Sequence, residues 1–243
     1  MNLLAIDTSL NELTVCASNP QGDKILLSIP HERNALSRLA PMIEEALDKV
    51  GILPSDVDVV GCVVGPGSFT GIRVGVSTAK AFAFSVDAQM VALSSLYLLS
   101  LAALETNPEF FENDLICPVV HCVPGEVYTA VYARQAESRL VCLREDTSLT
   151  YDELARLPEQ LSQLCGRGLV LVGPALERPD FPLSELVYVK GIITIPGSLL
   201  HRESLAAARA GFLIPALEFQ ANYCRLSQPE VRLERGELNL GKA

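Results

Sequence analysis

Residues 57–71 read Val-Asp-Val-Val-Gly-Cys-Val-Val-Gly-Pro-Gly-Ser-Phe-Thr-Gly, and this stretch constrains the fold more than any other. A run of β-branched residues ends abruptly at Gly65-Pro66-Gly67, and a helical pattern over 69–86 follows at once. Such a run is a buried strand, and the glycines after it can adopt φ > 0 or let a second backbone approach closely. The loop feeds a helix N-terminus, whose first N–H groups lack partners inside the helix. Two readings follow: an anion-binding loop, with Gly65, Gly67 and Ser68 at its centre, or a tight strand-to-helix turn that binds nothing.

The rest of the chain supplies a frame for that unit. Leu3–Ile6 predicts a short strand ending at Asp7-Thr8-Ser9, and alternating segments at 13–17 and 25–29 flank the turn cluster Asn19-Pro20-Gln21-Gly22-Asp23. Leu36, Leu39, Ile43, Leu47 and Val50 follow the helical period, with Ser37 expected as N-cap, Pro41 in the first turn and Gly51 past the end. A strand at 90–93 and a helix from Ser94 or Ser95 to Leu104 complete a βββαβαβα order. Residues 106–109 read as a linker.

The second half repeats the theme with strands at 115–121, 127–133, 139–143 and 169–172 and helices at 151–164 and 198–213. Thr150 and Glu153 form a capping box, and Gly173-Pro174 echoes Gly65-Pro66. The expectation is an α/β protein of two duplicated βββαβα subdomains, residues 1–105 and 106–243, with a cleft between them and a loose tail after Leu233.

Composition narrows the function. The 243 residues are 49% hydrophobic and carry a formal net charge of −10, with no Lys/Arg run, so phosphate-led binding of nucleic acid is disfavoured. No apolar stretch has the roughly 18 residues of a membrane helix, and the N-terminus lacks the basic region of a signal peptide, which points to the cytoplasm. The seven cysteines are scattered without a Cys-x-x-Cys pair and read mostly as buried small hydrophobes; the three histidines are far apart. Neither a metal site nor a cofactor is expected.

Among chemistry-bearing groups, Asp7 with Thr8 and Ser9 stands at the carboxyl end of the first strand. There a carboxylate can hold Mg²⁺ and orient phosphates, or start an Asx-turn. Glu126 after Pro124-Gly125 is a lone acid in a hairpin. No nucleophile elbow, Walker A motif or triad is present. The helix at 69–86 sets Arg73, Ser77 and Lys80 on one stripe amid Phe69, Ile72, Val76, Ala79 and Phe82. So apolar a helix needs cover on more than one side, either from a partner subunit or from the space between the two halves. The partner reading is preferred, with Leu36, Leu39 and Ile43 of the preceding helix beside it.

Leu4-Ala5-Ile6-Asp7-Thr8-Ser9, the helix opening at His31-Glu32, the run Gly65-Pro66-Gly67-Ser68-Phe69-Thr70-Gly71-Ile72-Arg73-Val74-Gly75, Ala79-Lys80, Ser94-Ser95-Leu96, Gly125-Glu126-Val127-Tyr128 and Tyr223-Cys224-Arg225 together resemble the TsaB family. The match is dense over residues 1–100 and sparse beyond. The resemblance implies an actin-like fold of the ASKHA, ribonuclease H-like class. It further implies a non-catalytic role in making threonylcarbamoyladenosine next to the anticodon of tRNA, in complex with the catalytic paralogue TsaD. An ATPase, TsaE, joins the assembly, and tRNA is met only through the complex. The catalytic paralogue carries a His-x-x-x-His metal motif, whereas Ser94–Leu104 here has no histidine. The chain departs from the family pattern at His31-Glu32-Arg33, where His-Ser-Glu is usual, and at His121–Pro124, where Asp-Ala-Arg-Arg is usual. Without a partner the chain is expected to form a homodimer through the 36–50 and 69–86 helices. The competing function is an active actin-like ATPase or phosphotransferase using Asp7 and the glycine loop; a peptidase has no triad to support it.

Overall fold

The computed structural model describes residues 1–30, 35–108, 114–136, 139–165, 167–182, 187–189, 191–192 and 194–224. The departure at His31–Arg33, Arg225 and the tail after Leu233 lie outside them. The first half contains β1 (Leu3–Asp7), β2 (Glu12–Ser18), β3 (Lys24–Pro30), α1 (Leu39–Lys49), β4 (Val59–Gly65), α2 (Phe69–Val86), β5 (Gln89–Ser94) and α3 (Ser95–Thr106). The second contains β6 (Leu115–Val123), β7 (Glu126–Ala136), β8 (Arg139–Thr150), α4 (Tyr151–Cys165), β9 (Leu169–Val172), β10 (Val187–Val189) and α5 (Gly197–Arg209).

The two sheets have the same wiring. The first runs β3-β2-β1-β4-β5 and the second runs β8-β7-β6-β9-β10. In each, the first three strands are antiparallel and the next two join parallel to the first. This is the duplicated α/β architecture expected of an actin-like chain.

Local chemistry explains where elements start and stop. α1 is not capped by Ser37. A 3₁₀ turn over Ala35–Arg38 leads into it, Arg38 occupies the N-cap position, and no side chain caps the helix. Tight i→i+3 bonds take the place of a cap, and Pro41, lacking an N–H, still falls in the first turn. At the other end Gly51 has φ +66°. Its N–H bonds to Asp48 C=O at 3.0 Å and the Ile52 N–H to Leu47 C=O at 3.0 Å, the paired bonds of a Schellman stop. The same motif ends α5 four residues short of the expected Leu213: Gly211 donates to Ala208 C=O (3.1 Å) and Phe212 to Ala207 C=O (3.0 Å). The capping box of α4 forms, with Thr150 N–H bound to Glu153 Oε2 at 2.8 Å and Glu153 N–H to Thr150 Oγ1 at 3.2 Å. β8 is longer than its apolar part. The polar residues 144–148 continue the ladder through register shifts instead of forming a turn.

Apolar side chains gather in three layers. One lies between the first sheet and α1 and α2, and a second between the other sheet and α4. The third lies between the two sheets, where α3 and α5 sit and where residues of both halves, such as Val63, Leu93, Val120 and Val172, share one cluster. The helices that fill the space between halves are therefore α3 and α5, not α2. After α5 the chain turns back to the first half: Met90 and Ile214 exchange backbone bonds of 2.9 Å, and Ala216 and Phe219 pack into the α1–α2 layer. We call residues 214–224 the return strap.

Candidate functional site

The strand end, glycine loop and helix start converge as the sequence expects. Asp7, Thr8 and Ser9 are buried at 3%, 1% and 0% exposure. The Asp7 carboxylate accepts the Ser9 N–H (2.8 Å) and the Ser9 hydroxyl (2.6 Å), an Asx-turn. The Thr8 hydroxyl donates to Gly71 C=O at 2.7 Å, and the Ser68 N–H donates to Ser9 C=O at 2.8 Å. Ser68 caps α2, accepting the Gly71 N–H at 3.2 Å, and the Ser95 hydroxyl donates to Pro66 C=O. Gly65 sits at φ +108°. A Cβ on Gly67 would run into the Ser9 carbonyl, and one on Gly75 into the Thr8 hydroxyl. These backbones lie against one another, and the polar groups of Asp7, Thr8, Ser9 and Ser68 bond within the chain. The geometry is that of the tight strand-to-helix turn.

Burial, and secondarily the Asp7 carboxylate, pushes the Cys16 thiol up to about 12 and raises that of Cys62, so neither supplies a thiolate. Burial raises Cys117 to about 12 as well. The other described cysteines are not core residues: Cys122 and Cys224 are half-buried and Cys142 is exposed.

The residues of the proposed partner helices sort into three groups. Leu39, Ile43, Ile72, Val76 and Ala79 face inward onto the first sheet, with Ala79 at 0% and Val76 at 7% exposure. They are core residues, because the small residues Gly71, Gly75, Ala79 and Ala83 recur every fourth position and let α2 lie close on the sheet. Leu36, Lys80 and Phe82 are half-buried. The Lys80 ammonium donates to the carbonyls of Leu217 and Phe219, at 3.0 Å each, and so ties down the return strap. Phe69 and Arg73 are exposed, with the Arg73 guanidinium 3.9 Å from the centre of the Phe69 ring. Tyr223 of the strap also meets the Phe69 ring, 6.0 Å between ring centres.

The outward face of α2 is therefore Phe69, Arg73, Ser77, Ala81 and Phe84, at spacings of four and three. Between it and α1 runs a groove of about 890 Å³, lined by residues that include Ile43, Leu47, Leu53 and Phe82, with Glu44 and Asp48 also on its wall. Leu53 on its wall is 65% exposed, and Phe84 on α2 (62%) and Leu217 on the strap (72%) are likewise exposed. Of the stripe Arg73, Ser77 and Lys80 read from the sequence, Arg73 and Ser77 lie on this face, while Lys80 is turned to the strap. The exposed residues Leu53, Leu217 and Tyr223 did not show, because they lie outside the helix, Leu53 before β4 and the other two on the strap.

A second polar cluster was not legible at all. Asp146 on β8 accepts the Ser94 hydroxyl (2.8 Å) and the Asn222 amide (2.9 Å) on Oδ2, and the Tyr132 hydroxyl (3.4 Å) on Oδ1. It thus joins the end of β5, the second sheet and the strap. Burial holds its pKa above the usual carboxylate range, against the lowering effect of these hydrogen bonds. Glu126, the acid singled out in the hairpin, is half-buried at the start of β7.

Residues 30–183 match the family model described as TsaD: tRNA N6-adenosine threonylcarbamoyltransferase. The tRNA threonylcarbamoyladenosine biosynthesis protein TsaB of Haemophilus influenzae is 32% identical over 135 residues, 56% of this chain and 55% of that protein. The protein of the same description from Escherichia coli is 28% identical over 201 residues, 82% of this chain and 83% of that one. The chain spans about half the length of the H. influenzae and Bacillus subtilis relatives, 55% of each. Among solved structures, YeaZ from Pseudomonas aeruginosa superimposes with a TM-score of 0.74 at 22% identity, covering 91% of this chain and 99% of that one, a likeness of fold.

Proposed function

We propose a function from one premise: this chain belongs to the threonylcarbamoyltransferase (TsaD) family, whose model it matches over more than half its length, and within it to the TsaB proteins. It is a scaffold subunit for synthesis of threonylcarbamoyladenosine in tRNA, and it performs no chemistry itself. The observation that carries this reading is the contrast between its two candidate sites. Asp7 is buried and engaged by its own chain, so the glycine loop is a degenerate phosphate site, while the α1–α2 face is open and apolar.

The occupant of that face is a TsaD-like protein. A partner from the same family has the same two helices to offer, so the two chains can pair about a pseudo-two-fold axis, each laying its α2 into the other's groove. A second copy of this chain fits the same way when no partner is present, which gives the homodimer. A TsaE-like ATPase joins the pair, and tRNA is met through the complex. No described helix is long and apolar enough to cross a membrane, and we place the complex in the cytoplasm.

Co-expression with a TsaD protein, followed by co-purification and mass spectrometry of tRNA nucleosides, tests this. A stable complex that restores the modification in cells lacking their own TsaB is the expected result. The purified chain alone should show negligible ATP hydrolysis; robust turnover that vanishes in Asp7→Ala would overturn the scaffold reading.

A further inference from the structure

The Asp146 cluster and the α2 face are connected by consecutive contacts, although neither touches the other. Asn222 is the link. Its side-chain amide reaches Asp146 at 2.9 Å, its backbone N–H donates to Val64 C=O at 2.9 Å, and its carbonyl would stand 3.3 Å from a Cβ placed on Gly65. It is therefore held against the strand end that opens the glycine loop. The next residue, Tyr223, lies against Phe69, and the Arg73 guanidinium stacks on the same ring. Asp146 belongs to the second half and Ser94, bonded to the same carboxylate oxygen, to the first. The distance between the halves is thus tied to the position of Tyr223.

We propose that Asp146 and Asn222 are positioning residues for the docking face: the hydrogen bond between them sets Tyr223 against Phe69 and thereby orders the aromatic–arginine end of the surface that receives the partner. The inference rests on the reading of that face given above. The connection is a continuous chain of packed and hydrogen-bonded groups, and removal of a middle link is what distinguishes it from mere adjacency.

A swap of the two side chains tests it. In Asn222→Asp two carboxylates oppose each other. In the double variant Asp146→Asn, Asn222→Asp the same amide–carboxylate pair is restored in reverse. Affinity for the TsaD protein, measured by calorimetry, is expected to fall about tenfold in Asn222→Asp and to return to within about threefold of the natural protein in the double variant, the signature of a direct pairwise coupling. Amide hydrogen exchange of residues 69–73, measured without partner, is expected to rise in the single variant and recover in the double.

Where Asn222→Asp does not fold, Asn222→Ala serves, with the same rise in exchange at 69–73. Unchanged exchange there in a folded variant, or a single-variant defect that the swap fails to repair, overturns the proposal. Loss of binding in Arg73→Glu, alongside undisturbed binding in Asn222→Asp, overturns it while leaving the docking face intact. If the natural chain does not bind TsaD, the reading of the face fails, and the exchange measurement still decides whether the relay exists.

Discussion

Helices α2 and α3 are neighbours in one half, separated by a single strand, and both are rich in apolar residues. α3 buries Leu96, Leu98, Leu99, Leu101 and Leu104 around its whole circumference, because it lies between the two sheets. α2 buries only a stripe, Gly71, Ile72, Gly75, Val76, Ala79 and Ala83, and turns Phe69, Arg73, Ser77, Ala81 and Phe84 to solvent. The count of apolar residues does not separate these cases, whereas charge does. From Ser95 to Leu104 α3 has no charged residue, while α2 carries Arg73 and Lys80. Even the hydroxyl inside α3 bonds within the helix, Ser100 to Leu96 C=O at 2.9 Å. A helix buried on all sides can carry only polar groups that find partners, as Ser100 does on Leu96 C=O and Ser95 on Pro66 C=O; a helix with an outward face keeps charges there.

The sharpest way to break this contrast is to put a carboxylate on each side of α2. Ala79→Glu, at a fully buried position, should cost more than about 4 kcal/mol and leave the chain unfolded, since the charge has no partner there. Ser77→Glu, two residues away and exposed, should change stability by less than about 0.5 kcal/mol. Circular dichroism with urea titration reads both; a stably folded Ala79→Glu would mean that α2 is not seated as described.

Truncation of α3 comes next in size. Leu98→Ala, Leu99→Ala and Leu101→Ala should each cost about 2–5 kcal/mol, wherever they point, because no side of the helix is open. A loss below about 1 kcal/mol at any of the three would reveal an open face and make α3 resemble α2.

On the outward face the readout changes from stability to association. Phe84→Glu should leave the thermal midpoint nearly unchanged and convert a dimer of the isolated chain into a monomer, as seen by light scattering. A dimer that persists puts the interface elsewhere. The smallest effect concerns how the two helices end. α2 stops on Asp87 at φ +57°, in the left-handed region, whereas α3 stops on Asn107 at φ −139°. Asp87→Gly should stabilise by about 0.5–1 kcal/mol and Asn107→Gly should not, a difference that calorimetric melting resolves.

Much of the architecture could be read from the residues in order. The strand–glycine–helix unit at 57–86 and the Thr150–Glu153 capping box depend on neighbours a few residues apart and appear where expected; the second βββαβα repeat forms with an unforeseen strand, β10, between β9 and α5. The Asp7–Ser9 and Gly65–Ser68 segments also meet as foreseen, because β1 and β4 pair directly. Less legible was the extension of β8 through its polar residues, since an edge strand tolerates them on a solvated side. That extension is what carries Asp146.

By itself the sequence determined the periodicities and most of the stops, because those rest on short-range sterics, capping and hydrogen bonding that any tertiary context inherits, and its motifs carried the family resemblance. Only the tertiary structure decided which face of α2 is free, that α3 and α5, not α2, fill the space between the sheets, and that residues 214–224 return to meet β4, β5 and α2. Those outcomes depend on closures such as Asp146 with Asn222, 76 residues apart, and Lys80 with Leu217 and Phe219, 137 and 139 apart. No local pattern encodes such a pairing. It exists because burying the layers between two sheets leaves the strap one place to lie, and polar groups brought there must find partners in one another.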